Sequence, residues 1–350
     1  MKKSILVLLS VFLLASIALV GCSSSEETET SQSVLDQIKE RGTLNAGVNG
    51  ELPGFSYLEG GDYVGFDVDF AKAVAAAILG DANAVEFSPL TASERFTALQ
   101  TGSIDLLSRN TTWTTSRDVD LGLNFGGVTF YDGQGMMVRA DSGVNTLTDM
   151  NGMIIAVETG TTTELNLADQ MAKLGVSYEP QTFDNQEAAI AALEAGSVDA
   201  FTTDKSGLVS RLSTISNSSA YKILDDTMSK EPLGPVVAGG DDKMADLTRW
   251  VLNALIQAEE LGITSENVDS FLDSDDPVIQ RLLGIGEDEN GSLGAQLEVS
   301  SKFAYEAIKQ VGNYGEIFER HLGENTVFNL DRGLNDLYTN GGLLYSPPFR

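Results

Sequence analysis

The chain has one cysteine, one histidine and two tryptophans in 350 residues. The single cysteine, Cys22, excludes an intrachain disulfide, a cysteine-based zinc site and a dithiol redox pair. The single histidine, His321, excludes a multi-histidine metal site and confines any Ser-His-Asp arrangement to one position. Basic residues are scarce too: 22 Lys and Arg stand against 51 Asp and Glu, a formal charge of −29. A chain of that charge offers no basic footprint for nucleic acid, and none is expected as a partner. These absences leave little catalytic machinery, and no cofactor or metal is expected.

Near the start, an apolar run from Ile5 to Val20 follows Lys2 and Lys3 and precedes Gly21-Cys22-Ser23. It falls short of the roughly 20 apolar residues of a spanning helix. A basic start, an apolar core and small residues after it predict a signal peptide over residues 1–21. Leu19-Val20-Gly21-Cys22 resembles the bacterial lipobox, which makes Cys22 the expected lipidation site. Residues 22–33 are polar without apolar periodicity and are expected to form a flexible tether. The expected location is outside the cytoplasm, lipid-anchored to a membrane, with the soluble part in the periplasm or extracellular space.

Roughly 320 residues follow, a length that favours two domains or lobes. Val34 to Glu40 reads as a short helix and Leu44 to Val48 as a buried strand. A helix runs from Gly65-Phe66-Asp67 to Leu79, with Asp67 expected as its N-cap and Gly80 as its stop. Ala84 to Phe87 is the next strand, and Ser93 is expected to cap the helix carrying Phe96 and Leu99. Strand alternating with helix predicts an α/β fold with a largely parallel sheet.

One segment is echoed. Residues 98–105 read Ala-Leu-Gln-Thr-Gly-Ser-Ile-Asp, and residues 192–199 read Ala-Leu-Glu-Ala-Gly-Ser-Val-Asp. Each predicts a helix end, a glycine stop and a following strand, hence two similarly built lobes. Ligands of such sheets bind beyond the carboxyl ends of strands, which directs attention to residues 108–112 and 202–204. Two extended apolar segments, residues 136–138 and 236–238, are expected to cross between lobes as a two-segment hinge. Lobe 2 is then residues 139–235. Lobe 1 comprises residues 34–135 and 239–350, including an amphipathic helix from Asp241 onward and a helical C-terminal extension. Loops are expected at Ser274 to Pro277 and at Gly286 to Gly291.

Three motifs carry a resemblance: Gly65-Phe66-Asp67-Val68-Asp69, Arg95-Phe96-Thr97-Ala98-Leu99, and Asn110 through Arg117. Together they resemble the polar amino-acid-binding proteins of ABC importers. The chain is most similar to the general L-amino-acid-binding type within that family. Leu52 to Ser56, Ser108 to Trp113, Tyr131 to Gly135 and the ending Ser346-Pro347-Pro348-Phe349-Arg350 extend the likeness over nearly everything after the tether.

The resemblance implies a type II periplasmic-binding-protein fold, with a cleft between two lobes that closes on a free L-amino acid, and delivery to a permease. It implies Arg117 as the carboxylate-binding residue and Asp204 as the ammonium-binding one. Further ligand contacts fall on Asn110, Thr112, Thr161, Thr162 and Asn49. Arg109 either meets an acidic ligand side chain or pairs with an acidic neighbour. Trp113 is expected in packing, and Asp67 and Asp69 as helix-cap and surface residues. The expected function is capture of L-amino acids, broad and polar-preferring, by a monomer. A dehydratase-like enzyme or an amino-acid sensor on the same fold is the alternative.

Overall fold

The computed structural model describes residues 32–286 and 292–350. The expected signal peptide, Cys22, nearly all of the tether and most of the loop at residues 286–291 lie outside them.

From Val34 to Arg350 the chain forms one unit built on two five-stranded sheets. Its first lobe opens with α1 (Val34–Arg41) and β1 (Leu44–Val48). A three-stranded ribbon follows, β2 (Glu51–Leu52), β3 (Ser56–Glu59) and β4 (Asp62–Val64). Then come α2 (Phe66–Leu79), β5 (Val85–Pro89), α3 (Arg95–Gln100), β6 (Leu106–Leu107) and β7 (Leu123–Phe125). Strand β8 (Phe130–Asp132) crosses to the second lobe, which holds β9 (Gln134–Arg139), β10 (Ile154–Glu158), α4 (Thr162–Leu174) and β11 (Glu179–Phe183). It continues with α5 (Gln186–Glu194), β12 (Ala200–Asp204), α6 (Lys205–Thr214) and β13 (Tyr221–Ile223). Strand β14 (Glu231–Leu233) returns to β15 (Val236–Ala238), α7 (Asp242–Glu260) and a C-terminal helical region.

Both sheets share one topology. The first runs β5-β1-β6-β15-β7 and the second β11-β10-β12-β9-β13. In each, the second strand is parallel to both neighbours and the fourth antiparallel to both. The expected parallel character therefore holds apart from that reversed strand.

The echoed segments lead into the middle strand of each sheet, and they do the same work. Asp105 N–H donates to Asn45 O at 2.8 Å while its Oδ2 accepts the Asn45 N–H at 2.7 Å. Asp199 N–H donates to Ile154 O and its Oδ2 accepts the Ile154 N–H, both at 2.8 Å. The shared aspartate thus pins the first residues of a neighbouring strand, satisfying backbone groups that the ladder has not yet reached.

The crossing lies earlier in the chain than expected on both sides. Met136, Met137 and Val138 sit inside β9, each 0% exposed, and Val236–Ala238 form β15 in the first sheet. Apolar runs of this kind mark strands buried on both faces, not linkers. The lobes are instead joined by β8 and β14, paired antiparallel with Glu231 opposite Asp132 and Leu233 opposite Phe130. A Cβ on Gly234 would stand 2.0 Å from Gly127 O, so only glycine permits this approach of the two crossing segments.

Two expected caps are also corrected. Helix α2 is capped by Gly65, and its first N–H groups donate to the carbonyls of Gly54 and Phe55 at 2.9 Å, so no side chain is needed there. Asp67 turns inward instead, buried, with Oδ2 accepting the Asn110 N–H at 3.0 Å. Helix α3 begins after Glu94 without a side-chain cap, and Ser93 plays no part in it. Asp69 is not a free surface charge either; it pairs with Arg320 and His321.

The C-terminal region adds α8 (Pro277–Leu283), α9 (Leu293–Gln296), α10 (Phe303–Val311) and α11 (Tyr314–His321). Phe303, Ala304, Ala307 and Ile308 share one core with Phe70, Ala73, Val74 and Ala77 of α2, which explains why α2 is apolar nearly all round. This region also grips β8. Phe130 stacks on Phe318 with centroids 6.2 Å apart, and Tyr314 Oη donates to Thr129 O at 2.8 Å. Asn335 Oδ1 accepts the Tyr131 N–H at 2.6 Å, and its Nδ2 donates to Tyr131 O at 3.1 Å.

Candidate functional site

Between the sheets lies a cavity of about 270 Å³, counting space that opens to solvent. Its wall comes from residues at or just beyond the carboxyl ends of strands. Arg95 follows β5; Arg109, Asn110 and Thr112 follow β6; Glu158 closes β10 and leads to Thr161, Thr162 and Thr163. Gln186 follows β11, and Thr203 and Asp204 end β12. Both lobes therefore contribute, and several contacts cross directly between them.

One of these is a buried ion pair. Arg109 Nη2 reaches Glu158 Oε1 at 3.3 Å, with the side chains 3% and 4% exposed, while Arg109 Nε donates to Leu90 O at 2.9 Å. Beside it the hydroxyls of Thr112 and Thr162 lie 3.2 Å apart. Gly160 keeps the approach close, since a Cβ there would meet Ser93 Oγ of the opposite lobe at 3.2 Å. Glu231, on the crossing strand β14, gathers these elements. Its Oε2 accepts from Thr112 Oγ1 at 2.6 Å and Thr162 Oγ1 at 2.9 Å, and its Oε1 from Asn166 Nδ2 at 2.7 Å.

Charge of both signs is buried here. Arg95 is 3% exposed, and burial, then the neighbouring Arg109 and Arg117, lower its pKa well below the usual arginine value. Burial also lowers Arg117, to about 10, against the pull of Glu231 and Asp204. Burial raises Asp204 well above the ordinary carboxylate range, reinforced by Asp132 and Glu231. Asp132, opposite Glu231 across the crossing strands, is raised by burial to about 6.

Among the described residues, three buried side-chain polar atoms have no hydrogen-bond partner: Arg95 Nε, Asp204 Oδ1 and Gln134 Oε1. The first two belong to the cavity wall, one from each lobe. An unsatisfied buried donor or acceptor costs about 1–3 kcal/mol, more when charged. A guanidinium and a carboxyl group on one cavity with unused hydrogen-bonding capacity suit a ligand carrying both charges.

The residues expected from sequence mostly converge. Asn110, Thr112, Thr161, Thr162, Arg109 and Asp204 line this cavity. Asn49 lines an adjoining outer cavity, and its Nδ2 donates to Asn110 Oδ1 at 3.3 Å. Arg117 does not line the inner wall; it reaches it through Thr112, donating from Nη1 to Thr112 O at 2.7 Å. Arg109 has the acidic neighbour foreseen as one alternative. Trp113 packs, stacked on Phe125 with centroids 5.3 Å apart.

Five contributors were not foreseen: Arg95, Glu158, Thr163, Gln186 and Glu231. Glu158 had a visible signal, a charge closing the apolar run Ile154 to Val157. Gln186 and Glu231 had none, because their roles depend on where the lobes meet.

Two α/β lobes of one topology, joined by a crossing pair of strands around a polar cleft, define a type II periplasmic-binding-protein fold. The sequence profile of the bacterial extracellular solute-binding proteins, family 3, matches residues 44–171. The chain is 47% identical over 344 residues to the general L-amino acid-binding periplasmic protein of Rhizobium johnstonii, covering 98% of this chain and 99% of that one. It is 46% identical to the glutamate/glutamine/aspartate/asparagine-binding protein of Rhodobacter capsulatus, over 91% of this chain and 94% of that one. A solved ABC-transporter periplasmic binding protein from Brucella ovis with glutathione bound superposes with a TM-score of 0.88 at 46% identity, covering 91% of this chain and all of that one. The chain belongs to family 3 of the bacterial extracellular solute-binding proteins.

Proposed function

We propose that the protein captures L-amino acids outside the cytoplasm and delivers them to the permease of an ABC importer. The carrying observation is the pair of orphaned atoms, Arg95 Nε in lobe 1 and Asp204 Oδ1 in lobe 2, on one cavity. An α-amino acid presents a carboxylate and an ammonium on one carbon. Arg95, and Arg117 through the backbone it holds at Thr112, take the carboxylate with the nearby hydroxyls, and Asp204 takes the ammonium. A planar guanidinium matches carboxylate geometry. Because the two charges sit in different lobes, the ligand stabilises the closed arrangement. Asn110, Thr161 and Thr162 complete the hydrogen bonds, and Arg109, Glu158 and Asn49 meet the side chain. Glutathione, the ligand of the Brucella relative, carries the same paired charges at its γ-glutamyl end, in keeping with this head-group requirement.

A lipid anchor at Cys22, after removal of residues 1–21, is part of the same proposal; it keeps a monomeric binding protein beside its permease. Titration calorimetry of the purified protein with the twenty L-amino acids tests the reading. Binding of several polar L-amino acids, glutamate and glutamine among them, is expected. A protein that binds only sugars or inorganic ions would overturn it.

A further inference from the structure

The outer cavity has a charge that the amino-acid head group does not use. Arg211 lies on α6, the helix that starts directly after Asp204, so about two turns, roughly 10 Å along the axis, separate the two. It is 5% exposed, and its Nε donates at 3.3 Å to Gln186 Oε1, a neutral amide. Among the described residues no carboxylate forms an ion pair with it; Glu51, Glu158 and Glu187 act on it only at longer range. A desolvated guanidinium without a counter-charge is costly unless something pairs with it.

That side chain lines an outer cavity of about 580 Å³, again counting space open to solvent. Arg109, Glu158 and Gln186 line both this cavity and the inner one, so the two share a wall. Two acids of the outer wall, Glu51 and Glu94, are exposed and keep their water, and Glu158 is already paired with Arg109. The uncompensated buried charge of the outer cavity is therefore positive. A free amino acid held at Asp204 ends beside Arg109 and Glu158, and one further residue length, about 3.5 Å, carries a ligand on toward Arg211.

Building on the amino-acid reading of the inner cavity, we propose that the outer cavity is a second ligand subsite. In it, Arg211 binds the far carboxylate of γ-linked amino-acid conjugates, whose first residue keeps a free α-ammonium and α-carboxylate for the inner cavity. The protein then takes ligands longer than a single amino acid, selected by a free carboxylate at the distal end.

The test is calorimetric titration of the purified full chain with L-glutamate, γ-L-glutamyl-glycine and γ-L-glutamyl-glycinamide, repeated on Arg211→Gln. The glycinamide differs only in lacking the distal carboxylate, so wild-type protein alone can decide the matter. The expected result is that wild type binds the glycinamide at least about tenfold more weakly than the acid, the scale of one charged hydrogen bond. Arg211→Gln is expected to erase that difference and to lower affinity for γ-glutamyl-glycine far more than for glutamate. Equal binding of acid and amide by wild type overturns the inference, as does a difference that persists in Arg211→Gln. Equal losses for glutamate and the dipeptide would mark Arg211 as structural and overturn it too. Glutamate binding without dipeptide binding overturns this inference alone; failure of both, with no other amino acid bound, overturns the inner-cavity reading with it.

Discussion

A carboxyl group buried beside other carboxyl groups holds its proton above the usual range, and Asp204 is placed that way by burial, Asp132 and Glu231. An ammonium beside it favours the charged form, so ligand binding lowers that pKa and releases a proton. Affinity for a neutral amino acid is therefore expected to fall as pH drops through the raised pKa of unliganded Asp204. Calorimetry in buffers of different ionisation enthalpy should register proton release on binding, absent in Asp204→Asn; an unchanged proton count in that variant would place the ammonium elsewhere. Asp67 gives a separate test in the unliganded protein. Burial raises it from 3.8 to about 7, so between those values the folded chain binds more protons than the unfolded one. Stability from this group is then present at low pH and lost as pH rises through about 7. Asp67→Asn keeps an acceptor for the Asn110 N–H, and its loss of stability over that interval, followed by urea unfolding, should be smaller than wild type's. An equal loss would assign the proton to another group.

At the scale of elements, the crossing strand β8 is gripped by the C-terminal region of lobe 1 and touches lobe 2 through Asp132 and Ser206. Phe130 is seated against Phe318, and Asn335 satisfies both backbone groups of Tyr131, so the C-terminal region fixes β8 to lobe 1. Asn335→Ala leaves those two backbone groups without their partner, an expected cost of about 1–3 kcal/mol. Hydrogen exchange at Tyr131 should accelerate while β1 amides stay protected; unchanged exchange at Tyr131 would show that the clamp bears no load. Much at this scale was legible in the sequence. Helical and strand periodicity placed α1, β1, α2 and α7, and the Gly-Ser-x-Asp echo foretold two lobes because one backbone-pinning aspartate is needed in each sheet. The crossing was misplaced because buried strands and apolar linkers share a composition. Asp67 was misread as a cap because the carbonyls that serve α2 come from Gly54 and Phe55, a loop whose fold no local pattern announces. The candidate site was readable where residues end or trail a strand, as Asp204 ends β12 and Arg109, Asn110 and Thr112 trail β6. It was not readable where it depends on lobe meeting lobe, as with Glu231.

For the whole molecule, the proposal joins an anchored start to a cleft that opposing charges close. A cysteine carrying two or three acyl chains anchors stably where one chain holds only marginally. Cys22→Ala is expected to move the protein from the membrane fraction to the soluble one; retention in the membrane would refute the anchor. Closure makes a sharper demand. Removing one member of a buried ion pair costs about 3–5 kcal/mol, so Arg95→Ala and Arg117→Ala should each weaken amino-acid binding on that scale. Wild-type affinity in both would show that the carboxylate is held elsewhere. The most direct measurement edits the ligand instead of the protein: titration of wild type and Asp204→Asn with L-glutamate and N-acetyl-L-glutamate. Wild type should lose about 100-fold or more in affinity when the ammonium is acetylated, and Asp204→Asn should bind both compounds weakly and nearly alike. Equal affinity of wild type for the two compounds would contradict the account at its centre.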